Sequence, residues 1–143
     1  RTGVGPRIAE GVADLVLATE RSEALRGISF AKRGGDFVLY DDVWTPTGVM
    51  LGKAAYPERD AVVAAIEASG ARATVLLPSQ IPLVGGRPAA ANLVVLGAAC
   101  ATSALAALVD AEAVEATVAA RWPAAASANL EALRIGRQLA TRP

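Results

Sequence analysis

The sequence predicts an α/β fold, with a layered, largely parallel sheet, helices on both faces and a helix-rich C-terminal half. Short apolar runs alternate with helical segments in the first 77 of 143 residues. This alternation is typical of parallel strands joined by right-handed crossovers. Alanine is concentrated in the C-terminal half, where it favours helix because it loses no side-chain entropy there. The length suits one domain.

Three segments have the apolar or β-branched composition of buried strands. They are residues 14–19, 37–40 and 73–77. Two glycines within residues 33–36 predict a turn before the second strand, because glycine readily adopts positive φ. Asp41 and Asp42 end the second predicted strand, and Pro78 ends the third.

Helices are predicted between and after these strands. Gly27 and Gly70 are expected to end the first two, Pro57 to lie in the first turn of the second, and Asp110 to cap the fourth. The predicted helices are residues 20–26, 57–69, 89–108, 111–122 and 124–139. The connections 43–56 and 79–88 contain Pro and Gly and are predicted as loops.

Composition excludes several classes of function. Lys plus Arg and Asp plus Glu both number 14, so the net charge is zero and a broad basic surface for nucleic acid is excluded. There is no His to act as a base or metal ligand. The single Cys excludes an internal disulfide and a Cys-rich zinc site, and is typical of a cytoplasmic protein.

The start of the chain and one uncharged segment each raise a question of context. The chain begins at Arg1 with no signal peptide or clear element over its first eleven residues. We therefore expect either a domain from a longer polypeptide or a subunit without its N-terminal part. Residues 88–109 carry no charge and could span a membrane, but small residues dominate them, which favours a buried helix.

Two short motifs are candidates for ligand binding. Asp41 and Asp42 follow a strand and could hold a cation such as Mg²⁺, or form a solvated turn. Gly85, Gly86 and Arg87 precede a predicted helix, where backbone N–H groups attract anions and Arg87 could clamp a phosphate. A plain flexible loop is the alternative, since the glycines match no complete nucleotide-binding motif.

Other polar or aromatic residues have structural interpretations beside functional ones. Asn92 opens an apolar helix and must find hydrogen-bond partners, either within the fold or in a ligand. Cys100 is expected in the core with an inert thiol. Trp44, Met50 and Tyr56 lie in or beside the long loop and could form a partner surface. No nucleophile and base stand at a catalytic spacing, so no catalytic residue is predicted.

Several motifs occur in an order that resembles one known family. Residues 92–98 read N-L-V-V-L-G-A. They are followed by Trp122-Pro123 and then by a set of three residues, Asn129, Ala132 and Gly136. Upstream, residues 10–18 read E-G-V-A-D-L-V-L-A. These motifs are similar to those of the gamma-type domain of 2-oxoacid:acceptor oxidoreductases, which would cover residues 1–143. Residues 45–57, T-P-T-G-V-M-L-G-K-A-A-Y-P, are most similar to the indolepyruvate oxidoreductase beta-subunit branch. The family's opening strand and glycine-rich loop have no counterpart here.

The resemblance implies an accessory role in oxidative decarboxylation of a 2-oxoacid. Thiamine diphosphate, coenzyme A and iron–sulfur clusters would serve the assembled complex, with ferredoxin or NAD as acceptor. Thiamine-binding and iron–sulfur subunits or domains would be the partners, and this chain alone would bind no cofactor and be inactive. Gly85, Gly86, Arg87 and Asn92 are the residues expected near the coenzyme A approach. The alternative is a stand-alone Rossmann-like module that binds a nucleotide or phosphate.

Overall fold

A parallel three-stranded sheet forms the centre of the computed structural model, which describes residues 8–141. The strands are β1 (Ala13–Ala18), β2 (Ala31–Tyr40) and β3 (Arg72–Leu76), in the order β1-β2-β3. Both neighbouring pairs are parallel. The predicted α/β class and all three predicted strands are confirmed. Only the central strand β2 is fully buried, over residues 35–39, whereas Leu17 of β1 is 45% exposed.

Helices connect the strands and make up most of the C-terminal half. The helices are α1 (Arg21–Gly27), α2 (Thr47–Met50), α3 (Arg59–Ala68), α4 (Ala91–Ala101), α5 (Ser103–Ala106), α6 (Ala111–Arg121) and α7 (Ala126–Ala140). Gly70, with φ of 87°, follows α3 as predicted. Gly27 does not end α1 in a left-handed conformation, since its φ is −73° and a 3-10 turn continues from it. Pro57 precedes α3 rather than lying in its first turn.

Two hydrophobic cores lie on opposite faces of the sheet. Phe37 and Leu39 pack with Val62 and Ile66 of α3 on one face, together with residues of α1. Val38, which points the other way, belongs to the core that α4 and α7 form. Alternate residues of β2 therefore enter different cores, as the two-residue period of a strand requires. Helices cover both faces, as the sequence predicts.

The glycine pair before residue 36 forms a bulge in β2 rather than the predicted turn. Ala13 pairs with Ala31 and Leu15 with Asp36, so four residues of β2 face one residue of β1. Gly34 has a φ of 76°, which favours glycine. A Cβ on Gly35 would lie 2.9 Å from a carbonyl oxygen of the same strand. The strand therefore continues through the predicted turn.

Two glycines let α4 and α7 pack backbone against backbone. A Cβ on Gly97 would lie 2.0 Å from the carbonyl oxygen of Leu133, and one on Gly136 would lie 1.9 Å from that of Val94. Only glycine fits at both positions. These glycines belong to the two motifs of the family resemblance, N-L-V-V-L-G-A and the Asn129 set, so those motifs fix the packing of a helix pair.

The uncharged segment 88–109 does not form the single predicted helix. Thr102 has an extended ψ of 152° and separates α4 from α5. Its hydroxyl donates to the Ala99 carbonyl at 2.7 Å, and the Asp36 carboxylate accepts the N–H of Ala104 at 3.0 Å. A side chain 68 residues away thus holds the start of α5. Among the helices of residues 8–141, none combines the length and apolar character of a membrane span.

The helix α6 begins as predicted and ends at a Trp-Pro break. The Asp110 carboxylate accepts the N–H of Glu112 at 3.1 Å, which confirms Asp110 as the N-cap. Val118 is buried, whereas Trp122 is 47% exposed and lies outside the helix. The predicted helix 111–122 therefore ends one residue early, and Val118 rather than Trp122 enters the core. Cys100 of α4 is buried, as predicted.

Candidate functional site

The carboxyl ends of the three strands form one edge of the sheet. Ala18 pairs with Leu39, and Tyr40 pairs with Leu76, so the strands end side by side. In open α/β sheets, ligand-binding residues collect on the connections that leave this edge. The residues that follow the strands here are polar or charged on β1 and β2.

Arg21 and Asp41 form a buried ion pair at this edge. Arg21 Nε and Nη2 donate to the two carboxylate oxygens of Asp41 at 2.6 and 2.9 Å, and Nη1 donates to the Pro57 carbonyl at 3.3 Å. The Asp41 side chain is 5% exposed. The hydrogen bonds to Asp41 raise the pKa of Arg21, so its charge persists. Arg21 thereby ties the start of α1 to the end of β2 and to Pro57, two residues before α3.

The two predicted carboxylates therefore have different environments. Asp41 is buried and both of its oxygens accept from Arg21, which contradicts the solvated-turn interpretation for that residue. Asp42 is exposed, and its Oδ1 accepts the N–H of Val43 at 2.9 Å. Within residues 8–141, no three His, Cys, Asp or Glu side chains are grouped so that they could hold a metal ion.

Glu20 is the acceptor for a second set of hydrogen bonds next to the ion pair. Its carboxylate accepts from the Tyr56 hydroxyl, from Ser22 Oγ at 2.6 Å and from the N–H of Glu23 at 2.9 Å. Partial burial opposes ionisation, but the hydrogen bonds outweigh it and lower the pKa of Glu20 to about 2. Burial and the bond to Glu20 raise the pKa of Tyr56 to about 12, so Tyr56 stays a donor.

A depression of about 440 Å³ opens beside these groups. It is lined by Thr19, Glu20, Ser22, Glu23, Arg26, Asp42, Trp44 and Pro46. Three carboxylates and one guanidinium give this depression a negative character. Trp44, which is 78% exposed, forms an aromatic wall. This geometry suits a cationic or hydroxyl-bearing group next to an apolar surface.

Gly85 and Gly86 form the turn of a β-hairpin rather than a flexible loop. The hairpin strands are β4 (Leu83–Val84) and β5 (Arg87–Pro88), which pair antiparallel. Gly85 and Gly86 have φ of 58° and 77°, the positive values of a tight two-residue hairpin turn. Arg87 is exposed, and α4 begins only at Ala91. The three residues therefore do not stand directly at a helix start, as the anion-binding interpretation assumed.

Asn92 lies away from the hairpin turn, in a groove between α4 and α6. Its side chain is exposed, and the N-cap of α4 is Ala90, so Asn92 does not cap its own helix. The groove has a volume of about 510 Å³ and is lined by Asn92, Leu93, Leu96, Val109, Ala113, Val114, Thr117, Val118, Arg121 and Trp122. Gly85 instead lines a separate depression beside the start of α7. Asn92 and Gly85 thus border different depressions.

Sequence reasoning missed the two residues that organise the carboxyl edge. Glu20 and Arg21 were assigned only to a predicted helix, whereas they bind Tyr56 and Asp41, 36 and 20 residues away. The signal that singled out Asp41 and Asp42 also applies to them, because they too follow a buried strand of a parallel sheet. Tyr56 was noted only as a possible surface residue, and its bond to Glu20 is not visible in sequence.

Comparison with known proteins gives consistent matches. The family model described as pyruvate ferredoxin/flavodoxin oxidoreductase matches residues 1–139. The chain is similar to proteins named indolepyruvate oxidoreductase subunit IorB. The one from Methanothermobacter thermautotrophicus is 33% identical over 98 residues, covering 68% of this chain and 50% of the relative. The one from Archaeoglobus fulgidus is 34% identical over 92 residues, covering 64% and 46%.

A third relative gives a similar coverage. The subunit from Thermococcus kodakarensis is 30% identical over 95 residues, which is 66% of this chain and 47% of the relative. The chain spans about half the length of the curated relatives it matches.

Proposed function

Because this chain belongs to the pyruvate ferredoxin/flavodoxin oxidoreductase family, we propose that it acts as an accessory gamma-type domain of a 2-oxoacid:ferredoxin oxidoreductase. The observation that carries the proposal is the family match, which extends over residues 1–139. The three relatives named for indolepyruvate make an aryl 2-oxoacid our proposed substrate. The product of its oxidative decarboxylation would be an acyl-coenzyme A.

The use of the family's motif residues supports an accessory rather than a catalytic role. Gly97 and Gly136 are occupied in the contact between α4 and α7, where they approach backbone carbonyls. The polar residues at the carboxyl edge are likewise engaged with one another, since Arg21 binds Asp41 and Glu20 binds Tyr56. These groups shape and stabilise a surface, and the reacting groups would come from companion chains.

We assign the cofactors of the proposed reaction to companion subunits or domains. The residues of this chain do not fit an iron–sulfur cluster, because the sequence holds one cysteine and Cys100 is buried. Thiamine diphosphate and coenzyme A would bind to, or between, the partner chains, and ferredoxin or NAD would accept the electrons. The composition, with a single Cys, supports a cytoplasmic location for the complex.

Gly85, Gly86, Arg87 and Asn92 remain our proposed contacts near the coenzyme A approach. Arg87 offers an exposed guanidinium on the hairpin, which suits a phosphate group. In the assembled complex, Arg87→Ala is expected to raise the KM for coenzyme A and leave that for the 2-oxoacid unchanged. Arg59→Ala, which removes an exposed guanidinium on α3, is the control. Equal KM values for coenzyme A in both variants would remove Arg87 from the site.

The proposed activity is tested by reconstituting the full polypeptide with its thiamine-binding companion. The readout is the reduction of a viologen dye, supplied with coenzyme A and with indolepyruvate, pyruvate or 2-oxoisovalerate in turn. We expect reduction only when both chains are present, with the highest kcat/KM for indolepyruvate. Turnover by the isolated polypeptide would contradict the accessory role, and a preference for pyruvate would contradict the substrate.

A further inference from the structure

The loop of residues 43–56, which contains the short helix α2, exposes large apolar side chains beside the carboxyl edge. Trp44 is 78% exposed, Met50 73%, Leu51 62% and Val43 49%. We call these four side chains the apolar loop surface. Trp and Met are enriched at the centres of protein–protein interfaces, so exposed side chains of these types on one short segment point to an interaction site.

Hydrogen bonds anchor both ends of this loop and stabilise the turn at its centre. At its ends, the N–H of Arg21 donates to the Asp42 carbonyl at 3.1 Å, and the Tyr56 hydroxyl donates to Glu20. Within it, the N–H of Lys53 donates to the Gly48 carbonyl at 2.8 Å. A loop already ordered before binding loses little conformational entropy on association. The apolar side chains would therefore lose little conformational entropy when a partner binds them.

A negative rim adjoins the apolar loop surface. Trp44 lines the same depression as Glu20, Glu23 and Asp42. Glu23 is neutralised by Arg26 at 2.9 Å, and Glu20 stays ionised because its pKa is about 2. Within residues 8–141, Asp42 forms no ion pair, and its carboxylate accepts only a backbone N–H. A partner that covers Trp44 should therefore carry Lys or Arg opposite the negative charges of Asp42 and Glu20.

This charge arrangement argues against a second copy of the chain as the occupant. In a two-fold symmetric dimer, the same patch on each copy would meet itself. Asp42 and Glu20 would then face carboxylates of like charge, which is unfavourable across an interface. A different chain with a basic flank has no such conflict.

We propose that the apolar loop surface and its negative rim bind a companion protein chain that presents an apolar patch flanked by Lys or Arg. The assignment rests on the proposed function, since the companion to be used in the test is the thiamine-binding chain of the same complex. Trp44 and Met50 would enter the apolar patch. Asp42 would accept from the basic group at its edge.

The first test measures the Kd between the full polypeptide and the purified thiamine-binding chain. Trp44→Ser is expected to weaken association at least tenfold, because a buried interface Trp commonly dominates binding. Leu108→Ser is the matched control, since Leu108 is 82% exposed and lines a depression with Asp14 and Lys32 at the opposite edge of the sheet. It should change the Kd less than twofold. Equal effects of the two substitutions would overturn the proposal.

The second test isolates the charge of the rim. Asp42→Asn keeps an oxygen that can accept the Val43 N–H but removes the negative charge. We expect the association rate to fall a few-fold and to lose part of its dependence on salt. Asp14→Asn neutralises an exposed carboxylate at the opposite edge and should leave the rate unchanged. A rate that is the same in Asp42→Asn and wild type would contradict the basic flank.

The outcomes separate this proposal from the proposed function. If the wild-type chains do not associate at all, the proposed function fails and this inference fails with it. If they associate and Trp44→Ser binds as wild type does, only the surface assignment fails. Sedimentation of the polypeptide alone tests the other possible occupant, a second copy of the chain. A dimer that Trp44→Ser dissociates would show that a second copy covers the surface, contrary to the proposal.

Discussion

Glu20 and Arg21 are adjacent in sequence but hold two distant parts of the chain. Arg21 binds Asp41 at the end of β2, and Glu20 accepts from Tyr56 at the end of the following loop. Arg21 also lies over the Tyr56 ring, with its guanidinium carbon 5.6 Å from the ring centroid. Two neighbouring side chains thus fix both ends of the 43–56 loop.

Removal of Arg21 should destabilise the fold strongly. Arg21→Met leaves the buried Asp41 carboxylate without its partner, and we expect the free energy of unfolding to fall by about 3 kcal/mol. Urea denaturation measures this change. Arg26→Met is the control, because the Arg26–Glu23 pair is exposed and contributes less than about 1 kcal/mol. Similar losses in the two variants would show that Asp41 does not depend on Arg21.

Glu20 should make the stability depend on pH in the acid range. Its pKa is lowered from 4.5 to about 2 in the folded protein. A group with a lowered folded pKa stabilises fully above its unfolded pKa, and this stabilisation is lost as the pH falls through the folded value. Between pH 5 and 2, Glu20→Gln should therefore lose less stability than wild type. Tyr56→Phe, which removes one of the bonds to Glu20, should be intermediate. Parallel pH profiles for all three proteins would contradict this role.

At the scale of elements, α4 and α7 depend on two glycines. The helices are antiparallel, since Gly97 contacts Leu133 while Val94 contacts Gly136. The carbonyl oxygens that a Cβ would strike belong to helix backbone and cannot rotate away. Overpacking of this kind forces the two helices apart along their whole contact.

Alanine at either glycine should therefore unfold much of the C-terminal half. We expect Gly97→Ala to lower the free energy of unfolding by more than about 3 kcal/mol. Gly48→Ala is the control, because nothing lies within 4 Å of a Cβ there. It should leave stability unchanged or raise it by up to about 1 kcal/mol. Chemical denaturation of the three proteins tests this, and wild-type stability in Gly97→Ala would refute the close helix contact.

At the scale of the whole molecule, one sheet separates two cores. Val38 of β2 packs toward α4 and α7, and Phe37 and Leu39 pack toward α1 and α3. Because the sheet lies between the two cores, we expect the layer of α4 and α7 to open without exposing the other core. Cys100 lies within this layer, so its thiol reports such an opening.

The thiol of Cys100 should react with Ellman's reagent only when this layer opens. Burial raises the pKa of Cys100, although the positive charge of Arg137 acts in the opposite direction. We expect labelling in native buffer to be at least a hundredfold slower than in denaturant, with the rate limited by opening of the layer. Gly97→Ala should speed labelling, whereas Gly48→Ala should not. Fast labelling of the native wild-type protein would show that Cys100 is accessible.

The candidate site could be predicted only in part. Asp41 and Asp42 were singled out because they follow a strand. That Asp41 is buried while Asp42 is exposed depends on Arg21, which binds Asp41 from 20 residues away. Gly85 and Gly86 were predicted to lie in a loop before a helix, but their hairpin was not predicted, since its two strands have two residues each. Such short strands carry no periodic signal in sequence. The placement of Asn92 in the α4–α6 groove likewise depends on how the helices pack.

The sequence alone determined the order of the three sheet strands and the longer helices, the α/β class and the cap of α6, because these depend on residues within a few positions of one another. It did not determine α2, α5 and the short hairpin strands. Tertiary structure decided the break at Thr102 and the pairing of Glu20 with Tyr56. Asp36 holds the start of α5 from a strand, and Tyr56 reaches Glu20 only because β1 and β2 end side by side. Contacts of this kind arise when the packed sheet brings distant segments together, and no local preference encodes them.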